Sequence, residues 1–341
     1  MTSAVVVDDS AFMRELISRT LEDGGIRVLG TAADGEEAVG VVKTEDPDVV
    51  TMDVEMPNVD GLEAVDRIMN EHPTPTLMLS AYTDDTASVS LEALDRGAVD
   101  IFTKPGGEIS VEISSEQDIL VEKVKSVSQA DVMRDRKQNG HQRLREEVTL
   151  AEPHTIVIGA STGGPKVVKD LLWSLPLADC RILVVQHMPP GFTAQFARRL
   201  NEIDTYHVRE ANGRDHIQAG EVLVAPGDGH LVVDSYQNEM LTTSVKREGI
   251  EAGFIPSVDV TMRSVAKRVG DPVVGVLLTG MGDDGVEGMK AIDRSGGRTI
   301  AQAEIDCAVY GMPRRAIEAG HAGTVTRIDE MPKTILSEVS G

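Results

Sequence analysis

Seven short apolar runs in this chain, each ending at a cluster of polar or charged side chains, set the limits on how it folds. In the first hundred residues, Ala4 to Val7 leads into Asp8-Asp9, Val49 to Met52 into Asp53, Leu77 to Leu79 into Ser80, and Ile101-Phe102 into Lys104-Pro105. In the second half, Thr155 to Ile158 leads into Gly159-Ala160-Ser161-Thr162-Gly163, Ile182 to Val185 into Gln186-His187, and Val273 to Leu278 into Gly282-Asp283-Asp284-Gly285. Apolar runs of this length without alternation fit strands buried on both faces, and amphipathic segments such as Phe12 to Leu21, closed by Gly24-Gly25, and Gly61 to Met69 fit covering helices. The fold class is therefore α/β with parallel sheets, in which the carboxyl ends of the strands share one edge and ligands bind there.

In the second half, that edge gathers a serine, a histidine and an aspartate. A serine hydroxyl becomes nucleophilic when an imidazole takes its proton, and the imidazole needs a carboxylate to fix its tautomer. Gly159-x-Ser161-x-Gly163 supplies the small neighbours for a sharp strand-to-helix turn with the serine at the bend, leaving the Thr162 N–H for an oxyanion. The order Ser161, His187, Asp284 differs from the serine, acid, histidine order of α/β-hydrolases, so a separate hydrolase fold of Rossmann-like type is expected.

Rival readings of these segments fail on chemistry. Gly280-Met281-Gly282-Asp283-Asp284-Gly285 fits a dinucleotide fingerprint, but two carboxylates in the loop would repel a pyrophosphate. Gly159 to Lys166 lacks the Gly-Lys-Ser/Thr of a P-loop. His230, beside an apolar run, is the rival base. Val222 to Val233 reads as a peripheral hairpin, which makes His230 a surface histidine. In the first half, three carboxylates at strand ends form an oxygen-rich site suited to Mg2+, with Asp53 as an acyl-phosphate nucleophile and Lys104 and Ser80 contacting phosphoryl oxygens. Alternatively, Asp8-Asp9 caps the following helix.

At these residues a resemblance becomes specific. Asp8-Asp9, Asp53, Ser80 and Lys104-Pro105 resemble the response-regulator receiver domain. Ile156 with Gly159 to Gly164, Gln186-His187-Met188-Pro189 and Leu278 to Gly285 resemble the chemotaxis protein-glutamate methylesterases of the CheB family. The resemblance implies a receiver of flavodoxin-like doubly wound topology over 1–127, a linker over 128–152, and a Rossmann-like methylesterase domain with a mostly parallel sheet over 153–341. It implies hydrolysis of glutamate γ-methyl esters on chemoreceptors with release of methanol, and deamidation of receptor glutamines, through Ser161, His187 and Asp284. Met281 joins Thr162 in the oxyanion hole. It further implies phosphorylation of Asp53 by the chemotaxis histidine kinase (CheA), with Mg2+ held by Asp8, Asp9, Asp53 and the backbone carbonyl of Glu55, and relief of a block over the catalytic edge. Ile101 stands where many receivers carry a switch tyrosine or phenylalanine, so Ser80 is left as the hydroxyl switch, with Tyr82 as a substitute.

Length and composition agree with two domains, since 341 residues at 41% apolar content suffice for two cores. Helical periodicity runs from about Gln117 to Val127, and the polar stretch from Ser128 to Glu152, including Arg134 to Gly140, reads as the linker. Acids outnumber bases 56 to 33, for a net charge of −23. Residues 1–152 carry 32 acids and 14 bases (net −18), and residues 153–341 carry 24 and 19 (net −5). Such acidity suggests a halophile's cytoplasm, where salt screens self-repulsion. It also speaks against a nucleic-acid partner, as does the absence of a basic stripe or helix-turn-helix pattern. Two cysteines, Cys180 and Cys307, supply no disulfide framework and are expected to be buried thiols. With no leader pattern and no apolar run of 18 residues, a cytoplasmic protein without membrane insertion is expected.

Overall fold

The computed structural model of the chain describes residues 1–81, 84–104, 113–132, 153–250 and 252–340. It divides into two units, Met1–Asn139 and Gly140–Gly341.

In the first unit, β1 (Ser3–Val7), β3 (Val49–Asp53) and β4 (Thr76–Ser80) are buried at every position. Together with β2 (Arg27–Ala32) and β5 (Asp100–Thr103) they form a parallel sheet of order β2-β1-β3-β4-β5. The crossovers are α1 (Ala11–Asp23), α2 (Gly35–Glu45), α3 (Gly61–Glu71) and α4 (Asp84–Asp95), and α5 (Ile113–Val127) follows the last strand. The helix starts are written in the sequence. The side chains of Ser10, Asp34 and Asp60 each accept the N–H three residues on, satisfying an end group the helix cannot. Because Ser10 caps α1, the Asp8-Asp9 pair is not spent on that task.

The second unit is built around a seven-stranded sheet of order β15-β14-β13-β6-β7-β10-β8, parallel throughout. Its strands are β6 (His154–Ala160), β7 (Cys180–Gln186), β8 (His207–Glu210), β10 (Glu221–Val224), β13 (Val273–Leu277), β14 (Arg298–Gln302) and β15 (Thr324–Thr326). The helices α6 (Gly164–Ser174), α7 (Phe192–Asn201), α8 (Val258–Arg268), α9 (Val286–Arg294), α10 (Met312–Glu318) and α11 (Met331–Ser340) accompany it. An antiparallel trio, β9 (Arg214–Ile217), β11 (His230–Gln237) and β12 (Met240–Lys246), stands apart in the order β11-β12-β9. One core joins both sheets, with Val157, Leu183 and Leu277 of the large sheet clustering with Leu231 and Leu241 of the small one and with Met262 of α8. Arg181, fully buried, reinforces that junction: it pairs with Asp271, donates to the Glu239 carbonyl and lies 5.1 Å from the Tyr236 ring centroid.

Two sequence expectations are corrected here. Val222 to Val233 is not a peripheral hairpin, because β10 lies inside the parallel sheet between β7 and β8 while β11 belongs to the trio. The turn between them serves packing, since Gly227 lies so close to the Pro189-Pro190 backbone that a Cβ would sit 2.5 Å from it. Cys180 is buried as expected, but Cys307 is only partly so. The segment 133–152, which holds most of the expected linker and Arg134 to Gly140, lies outside the described residues, as do Tyr82 and Pro105.

Candidate active site

Three adjacent strands, β13, β6 and β7, bring the three polar clusters of the second unit to one edge. Their register sets the site. Ala160 pairs with Gln186 and the His187 N–H donates to the Ala160 carbonyl at 3.0 Å, so Ser161 and His187 leave neighbouring strands at the same level. On the other side, the Ser161 N–H donates to the Thr279 carbonyl at 3.0 Å. Ser161 then turns into α6 through Gly163, whose φ of 75° is left-handed and strained for other residues. Gly280 packs directly on the serine, with no room for a Cβ, which would lie 2.7 Å from that of Ser161.

Asp284 is the best-held carboxylate of this edge. Its Oδ2 accepts from His187 Nε2 at 2.8 Å and from the Val258 N–H at 2.7 Å, and its Oδ1 from Ser257 Oγ at 2.9 Å and the Asp259 N–H at 3.0 Å. Three of those donors are the cap and first turn of α8, where a helix offers unpaired N–H groups and positive dipole. Burial alone would push the Asp284 carboxyl up. The hydrogen bond and charge of His187 and the amides of Asp259 and Val258 outweigh it, so the carboxyl is held below the ordinary carboxylate value. Asp259 returns the favour, its Oδ1 accepting from the N–H groups of Gly285 and Gly288 at the start of α9, at 2.9 and 2.7 Å. Each helix is thus capped by a carboxylate from the other's N-terminal segment. Burial pushes the Asp259 carboxyl up.

Since Nε2 of His187 is committed to Asp284, Nδ1 is the nitrogen left for a reacting group, and it has no protein partner among the described residues. Phe254 stacks on the imidazole, with ring centroids 4.7 Å apart and planes inclined by 10°. Asp284 thereby fixes an edge of the ring and Phe254 a face.

The rest of the site corrects or extends the sequence reading. His230 is not a surface histidine: it is 2% exposed, and its Nδ1 accepts the Ser257 N–H at 3.2 Å beside the Asp284 carboxylate. Burial keeps its pKa below the ordinary histidine value, against the pull of Asp284. Ser257, Asp259 and Phe254 carry no motif and escaped sequence reasoning. A helix start at Ser257-x-x-Val260 was the one available signal, since Ser257 Oγ also accepts from Val260 N–H. Thr162 is buried, Met281 is partly exposed, and Asp283, adjacent to Asp284, is exposed.

In the first unit, Lys104 Nζ lies 2.7 Å from both Asp8 Oδ2 and Asp53 Oδ1. One carboxylate oxygen from each of Asp8, Asp9 and Asp53 falls within 4.8 Å of the others. Burial is the largest influence on Asp53 and, with the Asp8 charge, raises its carboxyl despite Lys104 and the Val54 N–H. Ser80, fully buried at the end of β4, accepts the Lys104 N–H on its carbonyl at 2.8 Å. Ile101 is buried on β5, and Glu55 sits two residues beyond Asp53 in the loop before α3. Three hard oxygen donors against one ammonium are a set that a divalent cation such as Mg2+ suits.

Comparison with known proteins bears on both units. Residues 156–335 match the CheB methylesterase family, and residues 4–112 match the response regulator receiver domain. The protein-glutamate methylesterase/protein-glutamine glutaminase of Haloarcula marismortui is 48% identical over 359 residues, covering 99% of this chain and 97% of that protein. The protein of the same description from Natronomonas pharaonis is 47% identical over 352 residues, covering 99% and 98%. Among solved structures, the crystal structure of the Thermotoga maritima CheB methylesterase catalytic domain aligns with a TM-score of 0.52 at 35% identity, over 55% of this chain and 99% of that one.

Proposed function

The chain belongs to the CheB family of protein-glutamate methylesterases, and from that premise we propose which residues carry out its chemistry and how they do so. It is a response regulator of chemotaxis whose receiver, once phosphorylated, activates a hydrolase for glutamate γ-methyl esters and for glutamine side chains.

Ser161 Oγ attacks the γ-carbonyl as His187 Nδ1 takes its proton, and Asp284 holds the Nε2–H and stabilises the imidazolium. The N–H groups of Thr162 and Met281 take up the negative charge on the carbonyl oxygen. Collapse breaks the bond to the methoxy group, which leaves as methanol with the proton from His187. Water, deprotonated by the same nitrogen, then releases the glutamate carboxylate from Ser161. A glutamine follows the same path with ammonia as the leaving group. The observation that carries this reading is the Asp284 carboxylate, bound by four donors, one of them a histidine that stands level with Ser161.

Residues 1–127 are taken as the receiver, 128–152 as the linker and 153–341 as the catalytic domain. In the receiver, Oδ1 of Asp53 is engaged by Lys104 and the Val54 N–H, which leaves Oδ2 to attack a phosphohistidine of the kinase CheA. Asp8, Asp9, Asp53 and the Glu55 carbonyl would hold Mg2+, which when bound supplies charge neutralisation for the incoming phosphoryl group. Lys104 and Ser80 then contact its oxygens, and phosphorylation raises the rate of the hydrolase. Methylated chemoreceptors are the substrate, met in the cytoplasm. Among the described residues no helix is long and apolar enough to cross a membrane.

A fluorophosphonate probe tests the nucleophile. Labelling mapped to Ser161 and lost in Ser161→Ala and His187→Ala supports the triad. A folded wild-type protein that takes no label would instead be a binding module with an inert site.

A further inference from the structure

Gln186, the last residue of β7 and the neighbour of the proposed base, is fully buried and has no part in the mechanism above. Its Nε2 donates to the Ser161 carbonyl at 2.8 Å and to the His187 carbonyl at 3.3 Å, while its Oε1 has no protein partner among the described residues. An apolar side chain would fill the same space without these two bonds.

What the bond orients is the peptide between Ser161 and Thr162. In a planar trans peptide the C=O and the following N–H point in opposite directions. The Ser161 carbonyl receives two donors, Gln186 Nε2 and the Gly164 N–H, each at 2.8 Å. With its carbonyl so held, the peptide can aim the Thr162 N–H only the other way. The Gly280–Met281 peptide repeats the device. The Gly280 carbonyl receives the N–H groups of Gly311 and Met312, at 3.0 and 2.8 Å, from the start of α10, and the Met281 N–H is turned away from them. Among the described residues, neither the Thr162 nor the Met281 N–H donates to a protein acceptor. The adjoining peptides are tied to Thr279, whose hydroxyl donates to the Thr162 carbonyl at 3.0 Å and accepts the Val309 N–H at 2.9 Å. Val309 in turn accepts the Gly280 N–H at 3.0 Å.

We propose that Gln186 and Gly311 are positioning residues of the oxyanion hole, each holding one of its two peptides through the carbonyl on the far side. This deepens the triad reading and rests on it. Preorganised donors matter because they need not reorient when charge develops. Removing one such donor outright costs ~10^2 to 10^3 in kcat, so freeing its peptide to swing should cost about 10- to 100-fold.

The test uses the full chain activated by a small phosphodonor, with Gln186→Met and Gly311→Ala. The first removes the amide donor and keeps the bulk. The second keeps every hydrogen-bonding group but adds a Cβ 2.5 Å from the Gly280 oxygen, at a φ of −105° that any residue can adopt. Two readouts are compared: kcat and KM on a receptor peptide carrying the γ-methyl ester, and affinity for the same peptide with a γ-trifluoromethyl ketone, which captures Ser161 as a hemiketal oxyanion. The proposal expects kcat to fall about 10- to 100-fold with little change in KM, and ketone affinity to fall by the same factor. It is overturned if kcat is unchanged, or if kcat falls while ketone affinity does not, as general damage to the fold would give. Should Gln186→Met fail to fold, Gly311→Ala decides alone. Ser161→Ala separates the two layers: a covalent ketone adduct in that variant would sink the triad itself rather than its positioning.

Discussion

Replacing Asp284 by Asn puts a definite strain on a site where every carboxylate lone pair is used. Each oxygen accepts two hydrogen bonds, one of them from a backbone N–H of α8. Whichever way the amide is turned, its NH2 faces either the Val258 or the Asp259 N–H, and one buried donor loses its acceptor. That costs about 1–3 kcal/mol of stability, a drop in Tm of about 2–12 °C for a domain of this size. The carboxylate charge that stabilises the imidazolium is lost in either orientation, and kcat should fall by roughly 10^3 to 10^4. The pH dependence has a fixed sign. A carboxyl held below its ordinary value of 3.8 stabilises the fold fully above that pH and loses its contribution as the pH falls through the lower, folded value. The gap in Tm between wild type and Asp284→Asn should therefore be constant above pH 4 or so and narrow in stronger acid. Methanol release and thermal melts from pH 2 to 7 read both effects, with Asp283→Asn as the exposed control, expected to change stability by no more than about 0.5 kcal/mol. If Asp283→Asn were the more damaging change to kcat, the acid would have been assigned to the wrong residue.

Other expectations follow from the same geometry. Ser161→Ala and His187→Ala should each lower kcat by about 10^4 to 10^6, and the double variant should be little worse than either, because the residues act as a unit; additive losses in steady-state kinetics would argue against a shared step. Asp53→Ala should keep the basal rate and lose activation by a small phosphodonor, and chelating Mg2+ should abolish activation of the wild type while sparing the basal rate. Activation surviving in Asp53→Ala would move the phosphorylation site elsewhere. With net −18 on residues 1–152 and −5 on residues 153–341, lowering the salt should depress the melting of the receiver more than that of the catalytic fragment, and equal shifts in calorimetry would show that self-repulsion does not decide stability here.

The strands that carry the site were legible because they are buried on both faces and so read as unbroken apolar runs. Their polar ends were legible because parallel strands share one edge. Those two causes bring Ser161, His187 and the Asp283-Asp284 pair to one edge; the Gly159-x-Ser161-x-Gly163 turn points to the serine, and the resemblance to the family selects Asp284 over Asp283. What escaped depends on tertiary pairing. Val222 to Val224 is an apolar run like the others, yet nothing local says that it inserts beside β7 while the residues after Gly229 cross into a second sheet. Local pattern alone therefore places His230 on the surface, whereas the crossing puts it in the shell around Asp284. Ser257 and Asp259 resemble an ordinary helix start. Their second roles, donating to Asp284 and capping α9, arise only because the N-termini of α8 and α9 meet. The Gln186 side chain offered a clue in its position next to His187, but its acceptor is a carbonyl 25 residues earlier.

The central claim is that Ser161, under the control of Asp53, releases methanol from methylated receptors. Methanol release from methylated receptor membranes, measured for wild type and Ser161→Ala with and without a phosphodonor and Mg2+, tests it most directly. The account predicts a low wild-type rate that rises on phosphorylation, and a folded Ser161→Ala protein that stays near background under both conditions. A folded Ser161→Ala protein turning over near the wild-type rate, or a wild-type rate indifferent to phosphorylation, would contradict it.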